Sequence, residues 1–316
     1  MTTRSIRISV RGKPVYVPCL EVEGRTIIVT GRLPRIAKIF DDFLDSRGVE
    51  NPDSIIKTIK QQRKADLFTF LGRFTDAVLP EKPKVPVRYT NHIVYEYEAV
   101  IHVVSFEHWW KNDINKKTRR NIRKAKKENV NVCVVRLDDK LIRGIDRIFN
   151  ETPIRQGKQF WHYGKKFDQI KREISTYANE SIFLGAYFKN ELIGFAKLIN
   201  CGDFGRANQI LSMMAHRDKP VTNALIAELV RTCERNNIPY LKYGAWLEGS
   251  LGDFKRNNGF KKLVIPRYYT ALTLRGKVAL GIGIDKKGVR GILPNSIRNG
   301  FIQLRNKWYK RVTAKL

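Results

Sequence analysis

The sequence predicts an α/β protein in which a mixed β-sheet is flanked by helices. Runs of apolar and β-branched residues alternate along the chain with segments of helical periodicity. The 316 residues are 42% hydrophobic and 10% aromatic, which is enough to fill a core and argues against disorder. Between residues 181 and 260 the predicted elements follow one another as strand, strand, strand, helix, strand and short helix.

The first third of the chain is predicted to be mixed α/β. Apolar runs indicate strands at 15–20 and 26–30, and helical spacing indicates helices at 36–44 and 53–64. The alternating segment 92–104 is rich in Tyr, Val and Ile and strongly favours a strand.

Residues 106–128 show the clearest helical pattern of the chain. The apolar stripe at helical spacing consists of Phe106, Trp110, Ile114, Thr118, Ile122 and Ala125. The other face carries nine Lys or Arg side chains between residues 111 and 127, against Asp113 alone. Because like charges one turn apart repel, such a helix either packs firmly or presents this face to a polyanion. A solvated helix face is the alternative.

The middle of the chain is predicted to alternate between strands and helices. The expected strands are 131–137, 181–188, 191–200, 207–215 and 240–245. The expected helices are 141–150, 167–178 and 222–236. Between them, residues 151–165 read as an irregular loop of polar and aromatic side chains. A further strand is expected after Leu263.

The chain from Arg275 onward is strongly basic, with eleven Lys or Arg and one acid, Asp285. Residues 294–312 are predicted to form an amphipathic helix whose apolar stripe is Ile297, Phe301, Leu304 and Trp308. A basic helix of this kind suits an anionic membrane surface. Docking on the protein through the same stripe is the alternative.

Charge and cysteine usage indicate the class of partner and the compartment. The chain has 60 Lys and Arg against 30 Asp and Glu, a formal net charge of +30, which favours nucleic acid, anionic lipid or phosphorylated small molecules as partners. Solubility alone is the alternative explanation. Four dispersed cysteines predict neither a disulfide framework nor a zinc site. With no signal peptide or apolar span in the pattern, we expect a cytoplasmic protein that can lie at the inner membrane face.

The segment 217–222 is predicted to bind phosphate. It lies between a strand and a helix, and the N-terminus of a helix offers unpaired N–H groups with partial positive charge. The candidate residues are Arg217, Lys219, Val221, Thr222 and Asn223. Thr222 is expected to be the N-cap of the helix, whereas Pro220 removes one N–H donor. An ordinary capped turn is the alternative.

Two further groups are candidates for substrate contacts and proton transfer. In the loop 151–165, Arg155, Gln156, Trp161, Tyr163 and Lys165 are candidate ligand contacts. His162 is the candidate general base, because a neutral imidazole titrates near pH 7. Glu248 and Asp253 are carboxylate alternatives. Arg267 and Tyr268 are expected to line an acceptor cleft, or else to be ordinary strand residues.

The order of elements between Ser181 and Phe260 resembles the core of the GNAT acyltransferase fold. The sequence FKRNNGF at 254–260 resembles the GNAT motif in which an aromatic pair precedes Gly-Phe. The sequence KKTRRNIRKAKKENVNV at 116–132 resembles the linker helix of FemAB-type peptidyltransferases. This resemblance implies two GNAT-like lobes, the first degenerate: residues 1–129, residues 130–275, and a basic tail at 276–316.

The resemblance implies transfer of an acyl or aminoacyl group from an ester or thioester to an amine, as in the biogenesis of cell-envelope or polysaccharide precursors. The co-substrate would be acyl-CoA or aminoacyl-tRNA, with no tightly bound cofactor and no metal. Arg217 matches the GNAT phosphate motif, but Pro220 and Thr222 replace its small residues, which favours a non-standard donor. Lys255 stands where many GNAT enzymes have an acidic Tyr, and FemAB-type proteins commonly carry a Phe-Lys pair there. Lys255 is thus expected to act as an acid, to bind a phosphate or to bind the oxyanion.

The rival prediction is a protein without catalytic activity that binds polyanions on a GNAT-like scaffold. Its ligand would be RNA, DNA or anionic lipid, and its binding would weaken steeply with salt, without turnover.

Overall fold

The structure is a computed structural model that describes residues 4–10, 13–46, 48–49, 51–74, 92–155 and 157–283. The strands within these ranges are β1 Ser5–Val10, β2 Lys13–Val22, β3 Arg25–Thr30, β4 Ile36–Ile39, β5 Leu67–Leu71, β6 His92–His102, β7 Asn131–Val135, β8 Ile154–Arg155, β9 Lys158–Gln159, β10 Ser181–Phe188, β11 Glu191–Asn200, β12 Gly205–Ser212, β13 Tyr240–Ala245 and β14 Lys261–Ala271. The helices are α1 Asp53–Gln62, α2 Lys116–Lys127, α3 Asp139–Asn150, α4 Phe167–Ile174, α5 Val221–Arg235, α6 Ser250–Asn257 and α7 Leu274–Gly281.

Twelve of these strands form one mixed sheet in the order β1-β2-β3-β4-β5-β14-β6-β13-β12-β11-β10-β7. β4 pairs with β5, and β12 with β13, in parallel; the other neighbours are antiparallel. β6 comes from the first third of the chain yet lies between β13 and β14. Distant parts of the sequence therefore share the centre of the sheet. The division at residues 129 and 275 stays a prediction.

The sheet opens between its two parallel central strands. β12 and β13 pair at two positions, Gly205 with Leu241 and Arg206 with Lys242, and then separate. β12 also contains a bulge. Lys197 of β11 pairs with Gln209 and the next residue, Leu198, pairs with Ala207, so that Asn208 of β12 has no partner in β11. The resulting cleft widens toward the C-terminal ends of both strands.

Helices cover both faces of the sheet, as the sequence predicts. The largest core joins β10–β13 to α3, α4 and α5, with Ile145, Phe195 and Leu225 fully buried. A second core lies under α1, where Ile55, Phe70 and Tyr268 are buried. Each core buries the apolar stripe of a helix against one face of the sheet, which is the main stabilising contribution to such a layered fold.

Most predicted elements agree with the observed ones, but the helix expected at 36–44 is wrong. Residues Ile36–Ile39 form strand β4, and a single 3₁₀ turn follows at Asp42–Leu44. Pairing with β3 and β5 determines this conformation, because Ala37 and Ile39 bury their side chains in alternation. Helical spacing and strand alternation are hard to tell apart in so short an apolar run.

The helix expected at 106–128 is interrupted. A helical turn at Phe106–His108 leads into a π-helical turn at Trp109–Asp113, and α2 then starts at a new cap, where Asn115 accepts a hydrogen bond from Thr118 N at 2.8 Å. The interruption places Trp109 in the core, where its Nε1 donates to the carbonyl of Asn258 at 3.0 Å. Burial of this side chain thus accounts for the break.

Candidate functional site

A cavity of about 690 Å³ lies on one side of the sheet, beside the opening between the central strands. Its walls come from three parts of the chain: strands and a turn within residues 7–43, α4 with the turn after it, and the bulge of β12. Asn208, the extra residue of that bulge, faces the cavity. The other lining residues are Arg7, Ile8, Ile28, Lys38, Ile39, Phe40, Asp41, Asp42, Phe43, Gln169, Arg172, Glu173, Thr176 and Tyr177.

Asp41 is the titratable group in this cavity whose environment is most perturbed. Its backbone is left-handed, with a φ of 53°, which is uncommon outside glycine and tolerated best by Asp and Asn. Burial and the neighbouring Asp42 carboxylate raise the pKa of Asp41 to about 6, although Lys38 and Arg206 oppose the shift. Among the residues that the structure describes, none donates a hydrogen bond to this carboxyl group.

Asp42 differs from its neighbour because it is held in an ion pair. Its Oδ2 lies 2.8 Å from Nη1 of Arg267, whose Nε also contacts Glu96. Burial alone would lower the pKa of Arg267, but the two carboxylates outweigh it and raise that pKa. Arg267 was predicted to line an acceptor cleft; it lies against the cavity wall and holds Asp42 there.

A buried charge cluster stands at the point where β12 and β13 separate. Arg206 and Lys242 face each other across the two strands, and Glu98 of β6 lies between them, 3.7 Å from Arg206 Nη1 and 2.6 Å from Lys242 Nζ. Burial lowers the pKa of Lys242, and the Glu98 carboxylate counteracts this. The guanidinium of Arg206 also lies 4.5 Å over the ring of Phe43, which lines the cavity. The cluster therefore connects the vertex of the cleft to the cavity wall.

The predicted phosphate-binding loop lies at the N-terminus of α5, near the open end of β12. Arg217 is exposed, and Lys219 pairs with Asp218 at 2.8 Å while its ammonium lies 4.7 Å from the ring of Phe188. The carbonyl of Asp218 accepts a hydrogen bond from Lys124 of α2 at 3.0 Å. The basic helix thus adjoins this loop.

Three candidate residues of that loop have structural contacts. The expected N-cap role of Thr222 is wrong, because Pro220 occupies the cap and Thr222 lies in the first turn, 3.4 Å from the hydroxyl of Ser212. Val221 is buried against Gly194. Asn223 is buried and donates to Asn258 Oδ1 at 2.9 Å. The side chains of these three residues therefore contact the protein itself, and the groups of this segment that could bind an anion are the first backbone N–H groups of α5.

Lys255, the strongest catalytic candidate from sequence, is almost fully buried at 3% exposure. Its Nζ donates to the carbonyls of Tyr243 and Ala245, at 2.6 and 2.7 Å. These carbonyls belong to the part of β13 where the pairing with β6 shifts register. Burial lowers the pKa of Lys255 to about 8. The ammonium thus holds the splayed end of β13 in place.

The loop 151–165 places its candidates around an aromatic cluster. Arg155 donates to the carbonyls of Ser212 and Ile148, at 2.9 and 2.8 Å, and therefore fastens the loop to the end of β12. Lys165 is buried and pairs with Glu173, which lines the cavity. Burial, with Lys165 and Arg155 nearby, lowers the pKa of His162 to about 3. This imidazole therefore lacks the basicity expected of a general base. Gln156 lies outside the described residues.

The remaining candidates lie apart from one another. Trp161 and Tyr163 are exposed, at 59% and 47%, although the ammonium of Lys165 lies 3.9 Å from the ring of Trp161. Glu248 is an exposed side chain 3.7 Å from Arg256. Tyr268 is 1% exposed, because its ring stacks on Phe70 in the core under α1. A contact between Tyr268 and a substrate is thus inconsistent with its burial.

Sequence reasoning missed Asp41, Glu98 and Asn208. Two adjacent carboxylates in a chain of net charge +30 were the available signal for Asp41 and Asp42. The sequence contains no comparable signal for Glu98 and Asn208. The ion pairs of Glu98 and the bulge at Asn208 both depend on which strands become neighbours in the sheet.

Two further properties concern metal ions and membranes. Within the described ranges no three His, Cys, Asp or Glu side chains are grouped to bind a metal ion. Among the helices described, none is both long and apolar enough to cross a membrane. The tail at 294–312, predicted to contact anionic lipid, lies outside the described residues.

Comparisons with known proteins find similar folds among solved structures. No protein-family model matches the sequence, and no curated protein does. A C-terminal domain assigned to a lysylphosphatidylglycerol synthetase of Agrobacterium fabrum is 12% identical, with a TM-score of 0.53, and the match covers 87% of this chain and 90% of that one. FemX is 10% identical, with a TM-score of 0.53, and the match covers 89% and 90%. L-PGS from Bacillus licheniformis is 11% identical, with a TM-score of 0.50, and the match covers 81% and 84%.

At sequence identities of 10–12% these similarities show a shared fold, and the matches cover 81–89% of this chain. In this chain the observed order of elements between residues 181 and 260 is the predicted one, and the strands among them belong to a single mixed sheet that opens between its parallel central strands. The chain therefore has the FemAB-like, GNAT-type α/β fold that the sequence predicts.

Proposed function

We propose that this protein is an acyltransferase that moves an acyl or aminoacyl group from an ester or thioester donor to an amine. The observation that carries the proposal is the Asp41 carboxyl group, with a pKa of about 6, in a cavity of about 690 Å³ beside the opening of the sheet. An uncharged amine is the nucleophile in such a transfer, so a carboxylate that accepts its proton near neutral pH assists the reaction. Transfer chemistry in FemX-like and synthetase-like folds supports the same class of reaction, by analogy of fold.

In the proposed step the amine nitrogen attacks the carbonyl carbon of the donor. A C–N bond forms, the nitrogen loses a proton to the Asp41 carboxylate, and the C–O or C–S bond of the donor breaks. The leaving oxygen or sulfur takes up a proton from water or from protonated Asp41. Backbone N–H groups at the splayed strands and the β12 bulge around Asn208 stabilise the transient oxyanion. Lys255 contributes by fixing the end of β13.

The donor is proposed to bind on the side of α5. The first N–H groups of this helix, with Arg217 and Lys219, suit phosphate groups, and both acyl-CoA and aminoacyl-tRNA carry them. Pro220 at the cap removes one donor N–H, which favours the aminoacyl-tRNA route. The acceptor amine, for which a cell-envelope precursor remains the proposed class, enters the cavity from the side of α4.

The first test is a calorimetric titration with acetyl-CoA and, in parallel, with bulk tRNA at moderate and high salt. Saturable binding of acetyl-CoA establishes a thioester donor, and stoichiometric tRNA binding without a CoA signal establishes the aminoacyl route. The donor that binds is then incubated with a panel of primary amines. Asp41→Asn is expected to abolish most of the transfer, whereas the exposed Asp168→Asn serves as a matched control. Equal transfer by Asp41→Asn would rule out the proposed base.

A second candidate function, polyanion binding without turnover, is favoured by the surface of α2. Its basic side chains Lys116, Lys117, Arg120, Arg123, Lys124, Lys126 and Lys127 are all exposed. Among these, Lys124 has an acidic partner, Glu128, at 3.5 Å. Salt-sensitive RNA binding that is unaffected by Asp41→Asn, together with no transfer to any amine, would favour this candidate over the enzyme.

A further inference from the structure

Helix α7 lies at the end of the described chain and packs on the first half of the sheet by one face. Gly276 approaches the carbonyl of Asp66 so closely that an added Cβ would lie 2.1 Å from it. Ala279 is buried beside Leu67 and Ala271. These small residues fix the orientation of the helix, so that its opposite face points away from the protein.

That outward face is apolar. Leu274, Val278 and Ile282 are spaced four residues apart, and their exposed fractions are 77%, 58% and 58%. At this spacing the three side chains lie above one another on one side of the helical segment. Single exposed apolar residues are common on protein surfaces, but an aligned stripe of three indicates a contact surface.

A neighbouring loop extends the stripe. Leu33, exposed at 70%, lies in the turn between β3 and β4. This turn and the start of α7 are fastened to the same carboxylate, because Asp66 accepts from Arg35 N at 2.8 Å and from the hydroxyl of Thr273 at 3.0 Å. The exposed leucine and the stripe on α7 therefore belong to one region of the surface.

The charges around this region are positive. Arg32, Arg63, Arg275 and Lys277 are exposed there. Asp66, the carboxylate between the two segments, is buried at 2% exposure and fully engaged in hydrogen bonds. Apolar side chains surrounded by Arg and Lys are the combination that binds at the interface of an anionic bilayer.

The sequence after Gly283 has the same character. Residues 284–316 contain nine Lys or Arg and one acid, Asp285, and the amphipathic pattern predicted at 294–312 includes Phe301 and Trp308. The 33 residues that follow Gly283 in the sequence therefore carry further charge of the same sign as the exposed residues around α7. This complementarity favours an anionic membrane over a second copy of a chain whose own net charge is +30.

We propose that α7, together with the loop that carries Leu33, forms a surface by which the protein lies on an anionic membrane. The occupant is the lipid bilayer itself, with apolar side chains entering the headgroup region and cations contacting acidic headgroups. This surface does not depend on the acyl-transfer proposal, and its test requires no turnover.

The test is co-sedimentation of the full chain with vesicles of phosphatidylcholine alone or mixed with phosphatidylglycerol. We expect binding to the mixed vesicles that exceeds binding to neutral ones by at least about tenfold. The double variant Leu274→Glu with Val278→Glu is expected to reduce binding by at least about tenfold. Val134→Glu is the matched control, since Val134 is an apolar residue of comparable exposure on strand β7. Circular dichroism and the unfolding midpoint show that the variants are folded.

A second variant reports insertion directly. With the mixed vesicles, Leu274→Trp is expected to show a larger blue shift of emission and more quenching by brominated lipid than the wild type, whose five tryptophans give the background. Three results would overturn the proposal: equal binding of the double variant and the wild type, equal binding to neutral vesicles, or concentration-dependent dimers that the double variant loses. The last outcome would assign the stripe to a second copy of the chain.

Discussion

Asp41 is the residue on which the proposed chemistry depends, and its protonation is linked to stability. The folded protein binds this proton more tightly than the unfolded chain, since the pKa of Asp41 is raised from 3.8 to about 6. The free energy of unfolding therefore falls as the pH rises between these values, and the loss is complete above about pH 6. Transfer activity that needs the carboxylate is expected to increase as the pH rises through about 6, the pKa of Asp41 in the folded protein.

The corresponding prediction concerns Asp41→Asn, which keeps the shape and tolerates the left-handed backbone. At about pH 7.5 the variant is expected to be more stable than the wild type by about 1 kcal/mol, after allowance for partial solvent screening. At about pH 4.5 the difference is expected to shrink, because Asp41 is then largely protonated in the folded state. Urea unfolding at both pH values measures it, and an equal difference at both would contradict the assignment.

A second prediction at this scale concerns the buried cluster at the vertex of the cleft. Glu98→Gln removes the carboxylate 2.6 Å from the ammonium of Lys242, which is 2% exposed. Leaving a buried charge without its partner costs about 3–5 kcal/mol. The exposed pair of Asp139 and Lys171 is the control, and Asp139→Asn is expected to leave the urea midpoint nearly unchanged. A small effect of Glu98→Gln would show that Lys242 is already neutral.

At the scale of elements, the close approach of helix α6 to the preceding loop positions Lys255. A Cβ on Gly252 would lie 1.9 Å from the carbonyl oxygen of Leu247. Gly252→Ala therefore forces the helix and loop apart, at a cost of about 1–3 kcal/mol. At Gly281, at the end of α7, an added Cβ meets nothing within 4 Å. Gly281→Ala is expected to be neutral or slightly stabilising because alanine favours the helix. Denaturant unfolding compares the two, and equal effects would contradict the packing described for α6.

The elements also show where sequence patterns succeed. Strands β10 and β11 and helix α5 were predicted because long apolar runs and long helical periods have few alternative conformations. β4 was missed because four residues cannot establish a period and the strand depends on β3 and β5 for its hydrogen bonds. The break before α2 was missed because it places Trp109 beside Asn258, a contact between residues far apart in sequence.

At the scale of the whole molecule, a net charge of +30 predicts affinity for polyanions that falls steeply with salt. A variant in which Lys116, Lys117, Lys126 and Lys127 of α2 become Gln is expected to bind single-stranded RNA with a smaller salt dependence. The slope of log K against log salt becomes shallower by about 0.7 for each phosphate that the variant no longer neutralises. Fluorescence anisotropy over a range of salt concentrations measures this slope.

The control for this prediction replaces four exposed lysines elsewhere on the protein. Lys140, Lys158, Lys166 and Lys189 are exposed and lie outside α2. If the slope becomes shallower to the same extent in both quadruple variants, the affinity comes from net charge and not from the basic helix. A change confined to the α2 variant would locate the polyanion on that face.

The sequence by itself determined the fold class, the order of most elements and the basic character of α2, because periodicity and charge are local properties of the chain. Tertiary structure alone decided which residues share the cavity. Asp41 lies in a turn that follows β4 and Asn208 in a bulge of β12, and only the folding of the sheet brings these two segments to one cavity. The charge cluster beside it likewise needs Glu98 of β6 to lie near Arg206 of β12 and Lys242 of β13. The surroundings of Lys255 and His162 also depend on the tertiary structure, because burial and the groups around a side chain determine its pKa and its hydrogen bonds.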